Sequence, residues 1–90
     1  MKNPLEFIIC DNLDVSWKAV QSKKRDEVLV NARIMYYHIM VTEMPKCKIA
    51  EMLNVDRTQL YHYRKVFKDK MFYAPFADKY HQIERGYYTF

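Results

Sequence analysis

Three adjacent side chains at the start of one predicted helix have the chemistry to recognise DNA bases. Arg57, Thr58 and Gln59 follow Asp56, which together with Gln59 resembles a capping box. In the major groove, arginine bonds to guanine, glutamine bonds to adenine, and threonine packs against the thymine methyl group. The same three side chains could instead form an exposed helical turn that binds no ligand.

Tyr61 and His62 lie one turn further along the same helix and could contact a phosphate or a base. A single histidine is more often only a surface residue, and the same holds for His38 and His81 as metal ligands or bases. The sequence has no paired carboxylates, no nucleophile beside a base and no metal-ligand spacing. We therefore expect no catalysis, no cofactor and no metal.

Basic residues concentrate in two segments, 17–33 and 46–70, of a 90-residue chain whose net charge is +4. The candidates for contact with DNA in these segments are Lys23, Lys24, Arg25, Arg33, Lys46 and Lys48. Three further cations of the second segment could instead form a solvated face with Asp69: they are Arg64, Lys65 and Lys68. Binding one ligand through both segments requires a fold that brings them to one face.

Helical periodicity dominates the sequence, and no stretch alternates apolar and polar residues as a strand does. A first helix is predicted to begin at the cap signal Asn3 and Pro4, and a second after the cap Ser16. The longest helix is predicted over residues 26–42. Its core stripe comprises Val28, Ala32, Met35, Tyr36 and Ile39. We predict an all-α single domain of five or six helices over residues 1–90.

Residues 46–70 have the pattern of a helix-turn-helix, in which two helices cross beside a tight turn. Ala50 is small enough for a close crossing, and Asn54 tolerates the left-handed backbone conformation that such a turn requires. Apolar residues at the remaining positions would fill the space between the helices: Ile49, Leu53, Val55, Leu60 and Tyr63. A helical hairpin without DNA-binding function could share several of these features.

The segments VSWKAVQSKKRDEVLVNARIMYYHIM and KIAEMLNVDRTQLYHYRK resemble the C-terminal, origin-binding domain of the bacterial replication initiator DnaA, a fold of Trp repressor type. That family has a similar SK(K/R)R run, then an (A/P)RQ-type helix, then a helix-turn-helix with a DHTTV-like signature. The resemblance covers residues 5 to about 70.

Within that signature, Asp56 and Thr58 match the family. Arg57, Gln59 and Leu60 stand where the family has histidine, a second threonine and valine. The Gly-Gly-Arg loop that precedes the signature is shortened in this chain. Because the ATPase domain of DnaA is missing from these 90 residues, we expect no initiator activity from them alone.

The resemblance implies that Arg25, in the loop before the longest helix, enters the minor groove and that Arg33 contacts the DNA backbone. Lys23 and Lys24 precede Arg25, and such a basic loop suits phosphate and minor-groove contacts. The implied function is binding of double-stranded DNA in replication control or transcription regulation. The loop could instead be a solvated basic segment.

Composition excludes several other classes of protein. The single glycine, Gly86, excludes the glycine-rich loops that bind nucleotide phosphates. Cys10 and Cys47 lack zinc-site or disulfide-framework spacing and are typical of reduced thiols. The N-terminal residues have neither a signal-peptide core nor an apolar span of about 20 residues. We therefore expect a cytoplasmic protein with no membrane partner and no small-molecule substrate.

Residues 71–90 are rich in aromatic side chains. A helix is predicted to begin at Pro75, with an inward face formed by Phe76, Tyr80 and Ile83. The other aromatic residues of the C-terminal tail include Tyr87, Tyr88 and Phe90. They could cover the small core or form a surface for a protein partner or for self-association. The rival hypothesis is a protein-interaction module that keeps the fold without binding DNA.

Overall fold

Apolar residues at helical spacing give each of six α-helices a buried side in the computed structural model, which describes residues 4–89. In chain order the helices are α1 Pro4–Leu13, α2 Trp17–Val20, α3 Glu27–Met40, α4 Lys46–Leu53, α5 Arg57–Lys70 and α6 Ala74–Tyr88. The described residues contain no strand. The predicted all-α fold is confirmed. The capping role predicted for Asn3 lies outside the described residues.

The helix α3 is the centre of the fold, because all five other helices pack against it. Ala32, Met35, Tyr36 and Ile39 are buried as predicted. Val28 is 37% exposed, so its predicted place in the core is wrong. The buried side of α3 begins instead at the next residue, Leu29, which lies about 100° further round the helix.

Capping side chains fix the starts of α2 and α5. The Ser16 hydroxyl accepts a hydrogen bond from the Ala19 N–H at 3.1 Å, which confirms the predicted cap. The Asp56 carboxylate accepts one from the Thr58 N–H at 3.3 Å. Each bond satisfies an amide that has no partner within its own helix, which explains why the chain turns into a helix at these residues.

Two residues with positive φ reverse the chain after helices. Asn54, at φ 57° and ψ 46°, ends α4 in the left-handed conformation expected from the sequence. Asp14, at φ 55°, lies in the turn after α1, and the Val15 N–H closes that turn by donating to the Cys10 carbonyl oxygen. Asparagine and aspartate tolerate this backbone geometry better than other residues that carry a side chain.

The C-terminal helix α6 closes the core by packing against α1. Its inward residues Phe76, Tyr80 and Ile83 are buried, as the sequence predicts. The helix begins one residue before Pro75, which lies in the first turn where proline needs no amide partner. No helix within residues 4–89 has the length and hydrophobicity needed to cross a bilayer.

Candidate nucleic-acid interface

Hydrogen bonds attach the basic loop between α2 and α3 to the turn between α4 and α5. The Gln21 carboxamide donates to the Met52 carbonyl oxygen at 2.7 Å, and the Asn54 carboxamide donates to the Gln21 carbonyl oxygen at 3.0 Å. The Lys23 ammonium donates to the Asn54 carbonyl oxygen at 3.1 Å. The structure therefore brings the two basic segments of the sequence together at one place.

Arg33 supports this loop from inside the protein. Its side chain is only 5% exposed. Its Nε donates to the Val20 carbonyl oxygen at 2.7 Å, and its Nη2 donates to the carbonyl oxygens of Ser22 and Lys24, each at 2.8 Å. The role expected for Arg33, contact with the DNA backbone, is wrong for this conformation, because the guanidinium is buried and bonded to three carbonyl groups. Arg33 is a positioning residue for the loop that carries Lys24.

An open groove of about 340 Å³ lies between the loop and the first two turns of α5. Lys23 and Arg25 line it from the loop side, whereas Gln59 and His62 line it from the α5 side. The groove therefore combines two predicted loop cations with two predicted residues of α5. Its remaining lining residues are Ser22, Val30, Arg33, Val55, Asp56 and Tyr63.

The groove is lined by three basic side chains, Lys23, Arg25 and Arg33, and by one carboxylate, Asp56. Tyr63 is 4% exposed, and burial raises the pKa of its phenol above the usual value. The positive charges of Arg33 and Arg25 act on the same pKa in the opposite direction, because they favour the phenolate. Two arginines from the other side of the groove are thus close enough to influence a buried group of α5.

The predicted base-contacting residues stand on the exposed first turn of α5. Arg57, Thr58 and Gln59 are all exposed, and Gln59 alone of the three lines the groove. One turn further on, Tyr61 is 55% exposed and His62 is exposed as well. All five side chains are accessible to a ligand that approaches this end of α5.

The two lysines at the start of α4 lie outside the groove, and Lys46 contacts α5. The Lys46 ammonium is 5.2 Å from the centre of the Tyr61 ring, close enough for a cation–π contact. Lys48 is 4.0 Å from a carboxylate oxygen of Glu51 on the same helix, an exposed pair that is worth at most about 1 kcal/mol. Both ammonium groups remain available to an anionic ligand.

Two contributors to this region were missed by sequence reasoning. Gln21 joins the loop to α4. Tyr63 lines the groove, whereas the sequence predicts only that it packs between the two helices of the helix-turn-helix. The role of Gln21 had no local signal, because it depends on Met52, 31 positions away in the sequence. A place for Tyr63 at the edge of a groove could have been predicted from its hydroxyl, because a buried tyrosine ring usually keeps its hydroxyl in contact with water or a polar partner.

Other reactive groups within residues 4–89 stand apart from the groove. Cys10 and Cys47 are free thiols, and burial followed by the charge of Glu6 raises the pKa of Cys10. No group of three or more histidine, cysteine, aspartate or glutamate residues in that part of the chain could hold a metal ion. His38 stacks on Phe67, whereas His81 lies 3.7 Å from a carboxylate oxygen of Glu84.

Comparison of the chain with protein-family models, with curated proteins and with solved structures gave no match.

Proposed function

We propose that this chain binds double-stranded DNA, with α5 as the helix that enters the major groove and the loop before α3 as a second contact. The protein would contain a domain of the DnaA C-terminal type, acting in the cytoplasm in replication control or transcription regulation. The proposed activity is binding and positioning, and it needs neither a cofactor nor a catalytic group.

The observation that carries the proposal is the attachment of Lys23 to the backbone of Asn54. It connects a basic loop to the turn that begins the candidate recognition helix, across 31 positions of sequence. Lys23, Arg25, Gln59 and His62 thereby border one open groove. Such a combination of phosphate-binding cations and base-reading side chains fits a DNA surface, because cations position a protein on DNA while polar groups read base edges.

The turn geometry gives further support. Asn54 has the left-handed backbone expected of a helix-turn-helix. Ala50 is 5% exposed, and its helix α4 packs against α5. The cap on α5 comes from Asp56, the residue that matches the DnaA signature. These features fit the resemblance at the positions where the turn requires particular residue types.

The test is selection of binding sites from random duplexes at fixed salt, followed by affinity measurements on the selected site at several salt concentrations. We expect enrichment of a defined sequence, and log affinity should fall by about 0.9 per log unit of salt for each phosphate contacted. The substitution Lys23→Gln should lower affinity, while Arg85→Gln, an exposed cation on α6, is the matched control. Failure to bind any duplex at low salt would reject the function.

The second candidate function is a protein-interaction module, and one observation favours it. Phe72 and Tyr73, in the turn between α5 and α6, are 88% and 61% exposed. Adjacent exposed aromatic residues are unusual for a surface without a partner. Loss of self-association or partner binding on Phe72→Ser, with DNA binding unchanged, would show that this surface acts separately from the DNA surface.

A further inference from the structure

A hollow on α5 lies on the side of that helix away from Gln59. It has a volume of about 560 Å³, and three exposed cations form its rim: Arg64, Lys65 and Lys68. At 3.6 residues per turn, Lys68 is about 180° round the helix from Gln59. The hollow shares no lining residue with the groove described above. We refer to it as the α5 hollow.

The floor of the α5 hollow is aromatic. Phe67 lies there and stacks on His38 with 3.5 Å between ring centres and 17° between ring planes. Tyr80 meets the Phe67 ring nearly edge-on, with 4.9 Å between ring centres. These contacts hold Phe67 in place while leaving it partly exposed. The hollow therefore offers a preformed apolar surface surrounded by positive charge.

No carboxylate neutralises the rim within residues 4–89, because neither of the ion pairs found there includes a residue of α5. Asp69, the acidic residue nearest in sequence, lines a different hollow. Arg64 and Lys68 are one helical turn apart, so their like charges repel each other. A ligand suited to this hollow supplies an apolar group for the floor and anionic groups for the rim.

The exposed side of α1 presents both kinds of group. Phe7 is 70% exposed, and Asp11, one turn later on the same side of the helix, is exposed as well. Asp14 follows in the turn after the helix and is also exposed. The helix α1 contains no lysine or arginine. We refer to Phe7, Asp11 and Asp14 as the α1 acidic stripe.

The stripe is unpaired in its own chain. Neither of its carboxylates forms an ion pair within residues 4–89. Lys79 reaches this end of α1, but its ammonium donates to the Asn12 carbonyl oxygen at 3.2 Å. Packing against α3 and α6 fixes α1, and Phe7 is not a lining residue of the α5 hollow. Only a second molecule can therefore bring a stripe and a hollow together.

We propose that the α1 acidic stripe of one copy of this chain docks on the α5 hollow of a second copy. Phe7 covers the Phe67 ring, and the two carboxylates of the stripe pair with the cations of the rim. An apolar anchor inside a charged rim is the usual arrangement where a helix binds a groove. Single exposed apolar residues are common, so the complementarity of the two surfaces carries the inference. It does not depend on DNA binding.

A second copy fits the hollow better than a free anion does. A phosphate ion would neutralise the cations but leave Phe67 in contact with water. The stripe supplies an aromatic ring and carboxylates together, and a folded helix already holds them in position. Docking of two preorganised surfaces costs little conformational entropy, which favours the stripe over a disordered acidic segment as well.

Because the contact joins two different surfaces, it is either made twice in a symmetric pair or repeated along a row of copies. In both arrangements, a molecule with a defective stripe keeps an intact hollow, and the reverse also holds. Two variants that are each defective in one surface can therefore form one intact contact with each other, although neither associates with itself.

The experiment is sedimentation equilibrium of the full chain. The contact is small, so we expect the parent to associate in the range from about 10 μM to 1 mM. The stripe variant combines Phe7→Ser with Asp11→Asn, and the hollow variant combines Arg64→Gln with Lys68→Gln. Phe72→Ser is the control for loss of an exposed phenylalanine. Circular dichroism and thermal unfolding verify that every variant is folded.

We expect each of the two variants to associate at least about 10-fold more weakly than the parent, because an aromatic anchor or its rim is lost. An equal mixture of them should form a 1:1 complex. Raising the salt concentration from about 0.1 to 1 M shortens the Debye length from about 10 to 3 Å, so association of the parent should weaken several-fold. Phe72→Ser should associate as the parent does, and so should Lys18→Gln with Arg85→Gln, which removes two exposed cations elsewhere.

Three results would overturn the inference. The first is a parent that stays monomeric at about 1 mM. The second is an equal mixture of the two variants that associates no better than either alone, which would show that the stripe and the hollow do not meet. The third is loss of association on Phe72→Ser with parental association of the stripe variant, which would assign self-association to the turn between α5 and α6. Duplex binding is measured separately, and none of these results decides it.

Discussion

The carboxamide of Asn54 donates a hydrogen bond to the Gln21 carbonyl oxygen at 3.0 Å, across 33 positions of sequence. The same asparagine occupies the left-handed conformation that ends α4 and directs the chain into α5. One residue therefore forms the turn between two helices and fastens the basic loop to it. The position of the loop cations relative to α5 depends on this double role.

Replacing Asn54 by glycine or by alanine should separate the two roles. Asn54→Gly keeps the left-handed turn and removes the hydrogen bond, so the free energy of unfolding should fall by about 0.5–1.5 kcal/mol. Asn54→Ala removes the bond and adds about 1–2 kcal/mol of backbone strain. Chemical unfolding measures both changes, and duplex titration should show weaker binding by the glycine variant. Parental affinity for that variant would mean that the loop is positioned without this bond.

Substitutions at Arg33 can show whether this residue positions the basic loop or contacts a DNA phosphate directly. Arg33→Lys keeps the charge but cannot reach three carbonyl groups at once, so it should destabilise the fold by about 2–3 kcal/mol, nearly as much as Arg33→Met. At a temperature where both variants are folded, we expect both to bind DNA more weakly than the parent. Recovery of binding by lysine relative to methionine would instead indicate a direct phosphate contact.

Most of the fold could be predicted because local signals determine it. The cap Ser16 and the left-handed Asn54 act through neighbours within a few positions, and the apolar spacing along α6 marks its buried face, all of which a sequence shows directly. The predicted burial of Val28 was wrong because an apolar residue at helical spacing is buried only where another helix covers it. Coverage depends on how helices pack, which spacing alone does not define.

The candidate site was predictable in composition but not in arrangement. The types and order of Arg57, Thr58 and Gln59 predict a surface suited to base edges, and all three side chains are exposed. The burial of Arg33 could not be read from sequence, because its partners are backbone carbonyl groups of a loop 9–13 positions away. Main-chain acceptors carry no sequence signature, so an arginine that binds them looks the same as an arginine that binds phosphate.

His38 should make the stability of the fold sensitive to acid. Burial lowers the pKa of its imidazole below 6.5, and the negative charge of Glu84 opposes that effect. Because the folded-state pKa is below the unfolded value, the contribution of His38 is fully present above about pH 6.5. It is lost as the pH falls through the folded-state pKa, since protonation then favours the unfolded chain.

The check is thermal unfolding from pH 7.5 to 5 for the parent and for His38→Phe. Phenylalanine preserves the ring stacked on Phe67 but does not titrate, so the variant should lose less stability than the parent over this range. The two proteins should differ most at the acidic end. Parallel pH profiles would show that acid sensitivity arises from other groups.

Arg57 and Gln59 should determine which DNA sequence is bound. Both are exposed at the start of α5, and each can form a two-bond contact with a base edge that is worth about 1–3 kcal/mol of discrimination. Selection from random duplexes should therefore give a different preferred sequence for Arg57→Ala and for Gln59→Ala. Lys24→Gln, at an exposed lysine of the basic loop, is the control, because loss of a phosphate contact should lower affinity about equally on every sequence.

Restoring the signature of the resembled family sharpens this test. Arg57→His combined with Gln59→Thr introduces the two residues that the DnaA signature has at these positions, while Asp56 continues to cap the helix. If α5 reads the major groove, the preferred sequence of the double variant should move toward the DnaA box, and its affinity for the parental site should fall by about 1–3 kcal/mol per lost contact. Specificity profiles that coincide with the parent's for all of these variants would show that α5 does not read sequence. DNA binding would then depend on the backbone contacts of the basic loop, and its salt dependence would persist without base preference.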